Sequence, residues 1–371
     1  MKILFLSKRA YTNKDLVKDR YGRVYEFSRV LAAQGHGVCG VALDYHRGSS
    51  ATGTHKPEEG NPEWHSFNLF PNPVTGIRDY LRGVAELVEN VSPDILVSVS
   101  DVYHVIFGDW AARKYNIPHV TDLYDNYECF GAARVPGLIA LFRRAVARAE
   151  GCVCVSHQLK KHVLDTCNPK RIPEVIINAV DTDLFRPHDS VACRRHFGLP
   201  ENQTLIGLGG SLTRIRGVQT VFDAHRSLIN SSPDIHLVLA GSKDVNTTIP
   251  DSEYIHYLGN LDYTEMPLFF GSLDLGIIIN RDTPFARFCF PQKFFEMLAC
   301  ELPIVVASTG DVKDMMERCS HALFRPGSDT ELLSAIRKQL AAPCRPRVKV
   351  ATWEQQGAVL EEFLKLCSGT G

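Results

Sequence analysis

No stretch of this 371-residue chain stays apolar for the roughly 20 residues that a bilayer-spanning helix needs. The 11 cysteines contain no Cys-x-x-Cys, and the closest two, Cys152 and Cys154, are one residue apart. The usual zinc and dithiol spacings are therefore missing. With Cys39, Cys152, Cys154 and Cys300 inside apolar runs, buried free thiols in a reducing compartment are expected. The 14 histidines show no His-x-x-x-His or comparable ligand spacing. Net charge is almost absent, −1 in all, which gives no support to a dominant nucleic-acid role. There is no low-complexity tract. The opening Met1 to Arg9 has too short an apolar core for a signal peptide and reads as a first buried strand.

What is present is the balance of an ordinary globular protein, 44% hydrophobic and 22% charged. The length suits two domains better than one core. Short runs rich in Val and Ile recur at Ile3 to Leu6, Val38 to Leu43, Ile95 to Val99, Val153 to Val155 and Val175 to Ile177. Between them the periodicity is helical; in Tyr25 to Leu31, the residues Phe27, Val30 and Leu31 share a face. After a polar stretch from Asp181 to Gln203 the pattern restarts with Leu205 to Leu208, His236 to Ala240, Leu275 to Ile279 and Pro303 to Ala307. This predicts an α/β chain of two doubly wound, Rossmann-like domains in tandem. A linker is expected near Phe185 to Arg195, with Pro187 at a hinge. Thr352 to Leu366 predicts an amphipathic helix presenting Trp353, Val359, Leu360, Phe363 and Leu364, and Arg47 to Asn61 predicts a loop.

In parallel sheets of this kind ligands bind beyond the carboxyl ends of the strands. In the second half those positions hold Gly209-Gly210-Ser211, Gly241-Ser242, Asn280-Arg281-Asp282 and Thr309-Gly310. Small residues there let backbone approach a ligand closely. Arg214 and Arg216 fall between a strand and a helix, which suits either a diphosphate clamp or two solvated arginines. In Phe290-Pro291-Gln292-Lys293-Phe294-Phe295-Glu296-Met297-Leu298, a helix is expected to start near Pro291. Phe294, Met297 and Leu298 would pack inward, and Lys293 and Glu296 share a face. The carboxylate suits the two hydroxyls of a ribose; a surface ion pair is the alternative.

In this order, these segments resemble the retaining glycosyltransferases of the GT-B fold, family four. Further landmarks are Gly35-His36-Gly37-Val38, Val155-Ser156, the run Asn178 to Phe185, Leu258-Gly259 and Thr352-Trp353. The resemblance covers nearly the whole chain. It implies an acceptor-binding domain over residues 1–185, a sugar-nucleotide-binding domain over 186–350, and a terminal helix over 351–371 packed back on the first domain, with a central cleft. It implies transfer of a sugar, with retention, from a nucleotide-sugar donor to a glycan, lipid-linked or small-molecule acceptor. No metal or cofactor beyond the nucleotide sugar is expected, nor a nucleic-acid partner. The implied place is the cytoplasm, with contact at the inner face of a membrane left open.

By the resemblance, Arg216 grips the donor diphosphate, with Arg214 supplying a second charge and Asp125 a positioning group. Glu296 holds the ribose, Gly22 belongs to the phosphate-facing loop, and Gly210, Ser211, Leu258, Phe290 and Lys293 line the donor. The sequence departs from the family at Phe288, where many members carry a first glutamate, at Ser211, where an arginine is usual, and at Tyr124, where His-Asp is common. These departures bear most on donor-sugar identity. They keep two rivals in view, a sugar-nucleotide epimerase of the same plan and a non-catalytic sugar-nucleotide-binding subunit.

Three features are set at lower weight. Asp181-Thr182-Asp183 looks like a metal motif but lies at the linker. His104 follows a strand and could face a cleft, with a structural or acceptor-binding role as much expected as a catalytic one. Arg143, Arg144 and Arg148 beside Leu138, Ile139, Leu141, Phe142 and Val146 suit a membrane-touching helix or, the favoured reading, a normal helix with one buried face.

Overall fold

The computed structural model describes residues 1–11, 14–47, 52–55, 62–131 and 135–369. They fall into two compact units, Met1–Asn178 with Trp353–Gly371, and Ala179–Thr352.

The first unit is built on an eight-stranded sheet. Its spatial order is Glu174–Val175, Gly151–Cys154, His119–Leu123, Ile95–Val99, Lys2–Lys8, Gly37–Asp44, Glu63–Asn68 and Gly53–His55. All neighbours are parallel except the last pair. Chain order reverses between Lys2–Lys8 and Ile95–Val99, the switch point of a doubly wound sheet. The central strands Lys2–Lys8 and Ile95–Val99 are largely apolar, as strands covered on both faces are; Ile3, Leu4, Leu6 and Ile95 to Val97 are all fully buried. The helix Arg23–Ala33 buries Phe27, Val30 and Leu31, as the periodicity predicts.

The second unit carries six parallel strands in the order Ile255–Tyr257, Ile235–Ala240, Thr204–Gly209, Leu275–Ile278, Ile304–Ala307 and Leu323–Phe324. Its switch point lies between Thr204–Gly209 and Leu275–Ile278. The chain is thus α/β, with two doubly wound parallel sheets.

The helix Trp353–Ser368 belongs to the first unit. Trp353 meets Phe27 edge-on at 5.5 Å, and a Cβ on Gly357 would collide with Val30. Residues 353, 357, 360, 363, 364 and 367 form the buried stripe. Val359 was expected on that face and is 37% exposed, since it is rotated about 100° from Leu360 on a 3.6-residue turn.

Other expectations are corrected. The stretch Phe185 to Arg195 is not a free linker. A helix, Ser190–Phe197, starts there, capped by the Asp189 carboxylate. Its Arg194 is buried and donates to the carbonyls of Ser272, Glu201 and Gln203 and to Asp274, which ties it into the second unit. The expected loop over Arg47 to Asn61 lies mostly outside the described residues; within it, Gly53–His55 is a strand antiparallel to Glu63–Asn68. The cysteines are not all free. Cys319 and Cys344 form a disulfide, their Cα atoms 5.7 Å apart, within the usual span. Cys129 is exposed.

Candidate functional site

At the switch point of the second sheet, the strand Thr204–Gly209 runs into Gly210, whose φ is +111°. The Gly210 N–H donates to the Ala240 carbonyl at 2.7 Å. A Cβ here would lie 2.8 Å from Lys293 Cε, so the lysine stem crosses over backbone that only glycine leaves clear. A Cβ on Gly241 would in turn collide with the Gly210 carbonyl. Two adjacent strand ends are thereby brought close.

The chain then passes exposed Ser211 to Thr213, whose hydroxyl accepts from the Arg216 N–H at 3.4 Å and starts the short 3-10 turn Arg214–Arg216. Gly217, φ +94°, ends that turn and opens the helix Val218–Ile229. Arg214 is exposed and Arg216 half-buried. A third arginine joins them. A Cβ on Gly217 would come 3.3 Å from Arg281 Cγ, so Arg281 lies over the same turn from the neighbouring strand end. Among the described residues, Arg214, Arg281 and Lys293 make no ion pair. Cations at the amino end of a helix, at a switch point, make an anion site.

The helix next to this loop, Gln292–Ala299, starts one residue after Pro291. Glu296 is only 4% exposed, so it is not a surface ion pair with Lys293. Burial pushes its carboxyl up; the Lys293 charge and hydrogen bonds from Tyr263 and Gln292 oppose that. Tyr263 donates to Glu296 Oε1 at 3.5 Å, and Gln292 Nε2 lies 3.5 Å from the Tyr263 hydroxyl. The Tyr263 ring packs on buried Phe185, centroids 5.3 Å apart. Phe295, not Leu298, joins Phe294 and Met297 in the core. Phe290 is also a core ring, stacked on Phe295 at 5.2 Å. The Leu258 N–H is spent on the Leu239 carbonyl, 2.9 Å, and the Gly259 carbonyl accepts from Gly241. Phe288 ends a short helix held by an Arg287–Asp282 ion pair. The Asp181 carboxylate accepts from the Asp183 and Leu184 N–H groups, the local duty of a turn residue.

Gly22 and Asp125 belong to the first unit. Gly22, φ +91° and ψ 170°, is the cap of the helix Arg23–Ala33. Behind it Arg23 is buried and forks onto Asp122 at 2.9–3.2 Å, with its other nitrogen on the Ile177 carbonyl. Asp125 is buried, following the strand His119–Leu123. Burial pushes the Lys8 amine down, against the charges of Asp101 and Asp125. Tyr124 is buried edge-on to Tyr127. The Tyr127 hydroxyl accepts from the Ser100 N–H and donates to the Asp122 carbonyl. His104 takes the structural role. It is fully buried, Nδ1 lying 2.8 Å from Asp101, which Tyr45 also reaches at 2.9 Å. Burial works against the Asp101 carboxylate, but these bonds hold it below the usual range. On the helix Leu138–Arg148, Arg143 forks onto Glu128 and Arg148 onto Asp109, so two of the three arginines are matched within the unit.

Sequence reasoning missed Tyr263 and gave Arg281 no role. Their spacing carries no motif; only the fold brings them to Glu296 and Gly217.

Residues 23–184 match the model of glycosyltransferase family 4, and residues 203–342 that of glycosyl transferases group 1. A putative teichuronic acid biosynthesis glycosyltransferase, TuaC of Bacillus subtilis, is 23% identical over 224 residues, 60% of this chain and 55% of its own. The D-inositol 3-phosphate glycosyltransferase of Mycobacterium tuberculosis is 26% identical over 159 residues, 40% of this chain and 31% of its own. The match thus spans about half or less of the length of these relatives. Among solved structures, sucrose-phosphate synthase from Thermosynechococcus elongatus superposes with a TM-score of 0.79 at 13% identity, all of both chains covered. Anabaena HepE in complex with UDP gives 0.69 at 17%, covering 98% of this chain and 95% of that one. By the order of its segments, its two sheets and these matches, the chain belongs to the family-four, group 1 glycosyltransferases of the GT-B fold.

Proposed function

We propose that this protein transfers a sugar from a nucleotide-sugar donor to a glycan, lipid-linked or small-molecule acceptor, with retention of anomeric configuration. The observation that carries the reading is the switch point of the second sheet, where Arg214, Arg281 and Lys293 form no ion pair among the described residues and Glu296 is buried beside the same loop. A donor diphosphate supplies the missing anion, and its ribose the hydroxyls for Glu296.

Arg216 and Arg214 grip the diphosphate and stabilise charge as it leaves. The acceptor hydroxyl oxygen bonds to the anomeric carbon while the carbon–oxygen bond to the diphosphate breaks. The hydroxyl proton passes to the departing phosphate oxygen, giving a glycoside and a nucleoside diphosphate. Asp125 serves as a positioning group, and the first unit holds the acceptor. With arginines neutralising the diphosphate, no divalent metal is required.

The test starts from a thermal-shift panel of UDP, GDP, ADP, CMP and dTDP sugars, in which binding raises the melting temperature. With the donor so found, the nucleotide should be released when an acceptor is present and barely without one. Excess EDTA should leave the rate unchanged. Donor turnover independent of acceptor would favour an epimerase, donor binding without turnover under any acceptor a non-catalytic subunit. Loss with EDTA, restored by Mg²⁺, would overturn the arginine account.

A further inference from the structure

Glu296 stands where two elements meet. It lies on the helix Gln292–Ala299, with its carboxylate directed at the short 3-10 turn Tyr263–Glu265. That turn is fixed by a reciprocal cap. The Asp262 side chain takes the Glu265 N–H, and the Glu265 side chain takes the Asp262 N–H. The Tyr263 ring is fixed again by Phe185, itself 1% exposed and packed on Phe270 at 6.2 Å. The phenol oxygen therefore has little freedom. On one side it meets Glu296 Oε1, on the other Gln292 Nε2 from the first turn of the Glu296 helix. A chain of donors runs from amide to phenol to carboxylate.

A carboxylate has two oxygens and about four acceptor sites. Free to rotate, it would offer a ligand a mixture of orientations. With one oxygen held, the other is presented in one direction. We propose that Tyr263 is a positioning residue for the donor: its hydroxyl holds Oε1 of Glu296 so that Oε2 faces the donor ribose. This rests on the reading of Glu296 as the ribose acceptor. The aromatic contact with Phe185 gives the run Asn178 to Phe185 a function beyond its turn. It carries the ring that backs Tyr263.

The second task of the hydroxyl is to keep Glu296 ionised where burial disfavours charge. The groups that act on the carboxyl are Lys293 and Gln292 on its own helix and Tyr263 opposite; Cys300, at the helix end, feels the Glu296 charge in return. Of these, Lys293 and Tyr263 favour the carboxylate from different elements. A protonated Glu296 has lost acceptor capacity, so donor affinity should fall as pH drops through its pKa. Removing the phenol proton donor moves that pKa up, and the affinity is lost at a higher pH.

The variant Tyr263→Phe keeps the ring on Phe185 and deletes only the hydroxyl. Two measurements on the full chain decide. The first is the titration of Glu296 followed by carboxyl ¹³C NMR in the ligand-free protein, its resonance identified by its loss in Glu296→Gln. Tyr263→Phe should titrate at higher pH than wild type. The second is the affinity for UDP, GDP and ADP by calorimetry, using whichever binds tightest. Tyr263→Phe should bind about tenfold more weakly at neutral pH, a step of 1.4 kcal/mol, with a low-pH limb shifted upward. In Glu296→Gln the limb should vanish, and adding Tyr263→Phe to it should cost nothing more. An unshifted Glu296 titration, or an equal Tyr263→Phe penalty in the Glu296→Gln background, overturns the positioning role. If Glu296→Gln binds as wild type does, the ribose assignment itself fails, whatever Tyr263 does. Melting temperatures within a degree or two of each other confirm that the ring contact has survived.

Discussion

Beyond the carboxyl end of the first sheet the charged groups answer one another. Arg23 grips Asp122, Asp101 is shared by His104 and Tyr45, and Tyr127 closes backbone groups of Ser100 and Asp122. Beyond the equivalent end of the second sheet, Arg214, Arg281 and Lys293 gather around Gly210 and Gly217 with no ion-pair partner among the described residues. The two sheets share a winding, yet one end is closed by ion pairs and the other, among the described residues, leaves three cations outside any ion pair. This difference in pairing, more than the shared fold, is what supports the proposal that the second end takes the ligand. The difference also separates two kinds of mutational consequence, since the first end should respond in stability and the second in binding.

The largest effect should come from removing Trp353 to Gly371. The terminal helix is last in the chain but packs in the first unit. Its Trp353, Leu360, Phe363 and Leu364 are buried, and such side chains contribute about 1.5–3 kcal/mol each. Their sum rivals a domain's whole stability, about 5–15 kcal/mol. Urea unfolding followed by limited proteolysis should show the first unit degraded while Ala179 to Thr352 persists. A truncated protein with an unchanged melting temperature would refute the docking of this helix.

Next should come Asp122→Ala. The Arg23–Asp122 pair is almost fully buried on both sides, with 4% and 3% of the side chains exposed. Removing the carboxylate strands a buried guanidinium, at a cost of about 3–5 kcal/mol. The urea midpoint should fall accordingly. A loss below about 1 kcal/mol, the range of exposed pairs, would mean that the first end is not closed as described.

These consequences were unevenly legible in the sequence. Strands made of uninterrupted apolar runs, such as Ile95–Val99, announce themselves. The strand His119–Leu123 does not, because buried Thr121 and Asp122 break the run, and the partner that makes Asp122 tolerable lies 99 residues away at Arg23. Glu63–Asn68 was hidden by its polar alternation, and Cys319–Cys344 by the absence of a spacing signature over 25 residues. At the site, Arg214, Arg216, Lys293 and Glu296 stand near predicted helix starts, which left them open between ligand and surface roles, and it was the family resemblance that gave them a donor role. Tyr263 went unseen, 33 residues from the carboxylate it touches. Local signals reveal what a helix start demands; contacts across a sheet's end need the fold.

In the second unit the largest effect should be that of Arg216→Ala, and it should be kinetic. A hydrogen bond to a charged group contributes about 1.5–3 kcal/mol, so kcat/KM should fall roughly 10- to 150-fold. Lysine should restore part of this, keeping charge but losing the fork. The urea midpoint should change far less than turnover, because Arg216 as a residue is only half-buried. Near-normal turnover in Arg216→Ala would move the diphosphate elsewhere.

The smallest effects give the sharpest contrast, because they come from one substitution made once in each unit. Arg143 in the first unit forks onto Glu128 at 2.7 Å. Burial works against the Glu128 carboxylate, but hydrogen bonds from Arg143 and His162 bring its pKa down to about 2. The folded value is thus depressed below the ordinary one of about 4.3. The pair's contribution is present above that ordinary value and is lost as pH falls through about 2. Arg143→Ala should therefore be destabilised by about 0–1 kcal/mol at neutral pH. Its deficit should close under strong acid, with donor affinity untouched. Arg214 in the second unit has no such partner among the described residues. Arg214→Ala should keep the wild-type melting temperature at every pH, and weaken donor binding by a few fold in a way that shrinks as salt screens the exposed charge. Calorimetry with the donor at low and high salt, beside melts across pH, measures all four quantities. If Arg214→Ala loses stability and keeps its donor affinity, the second end is no more a ligand site than the first, and the contrast between the two sheets collapses.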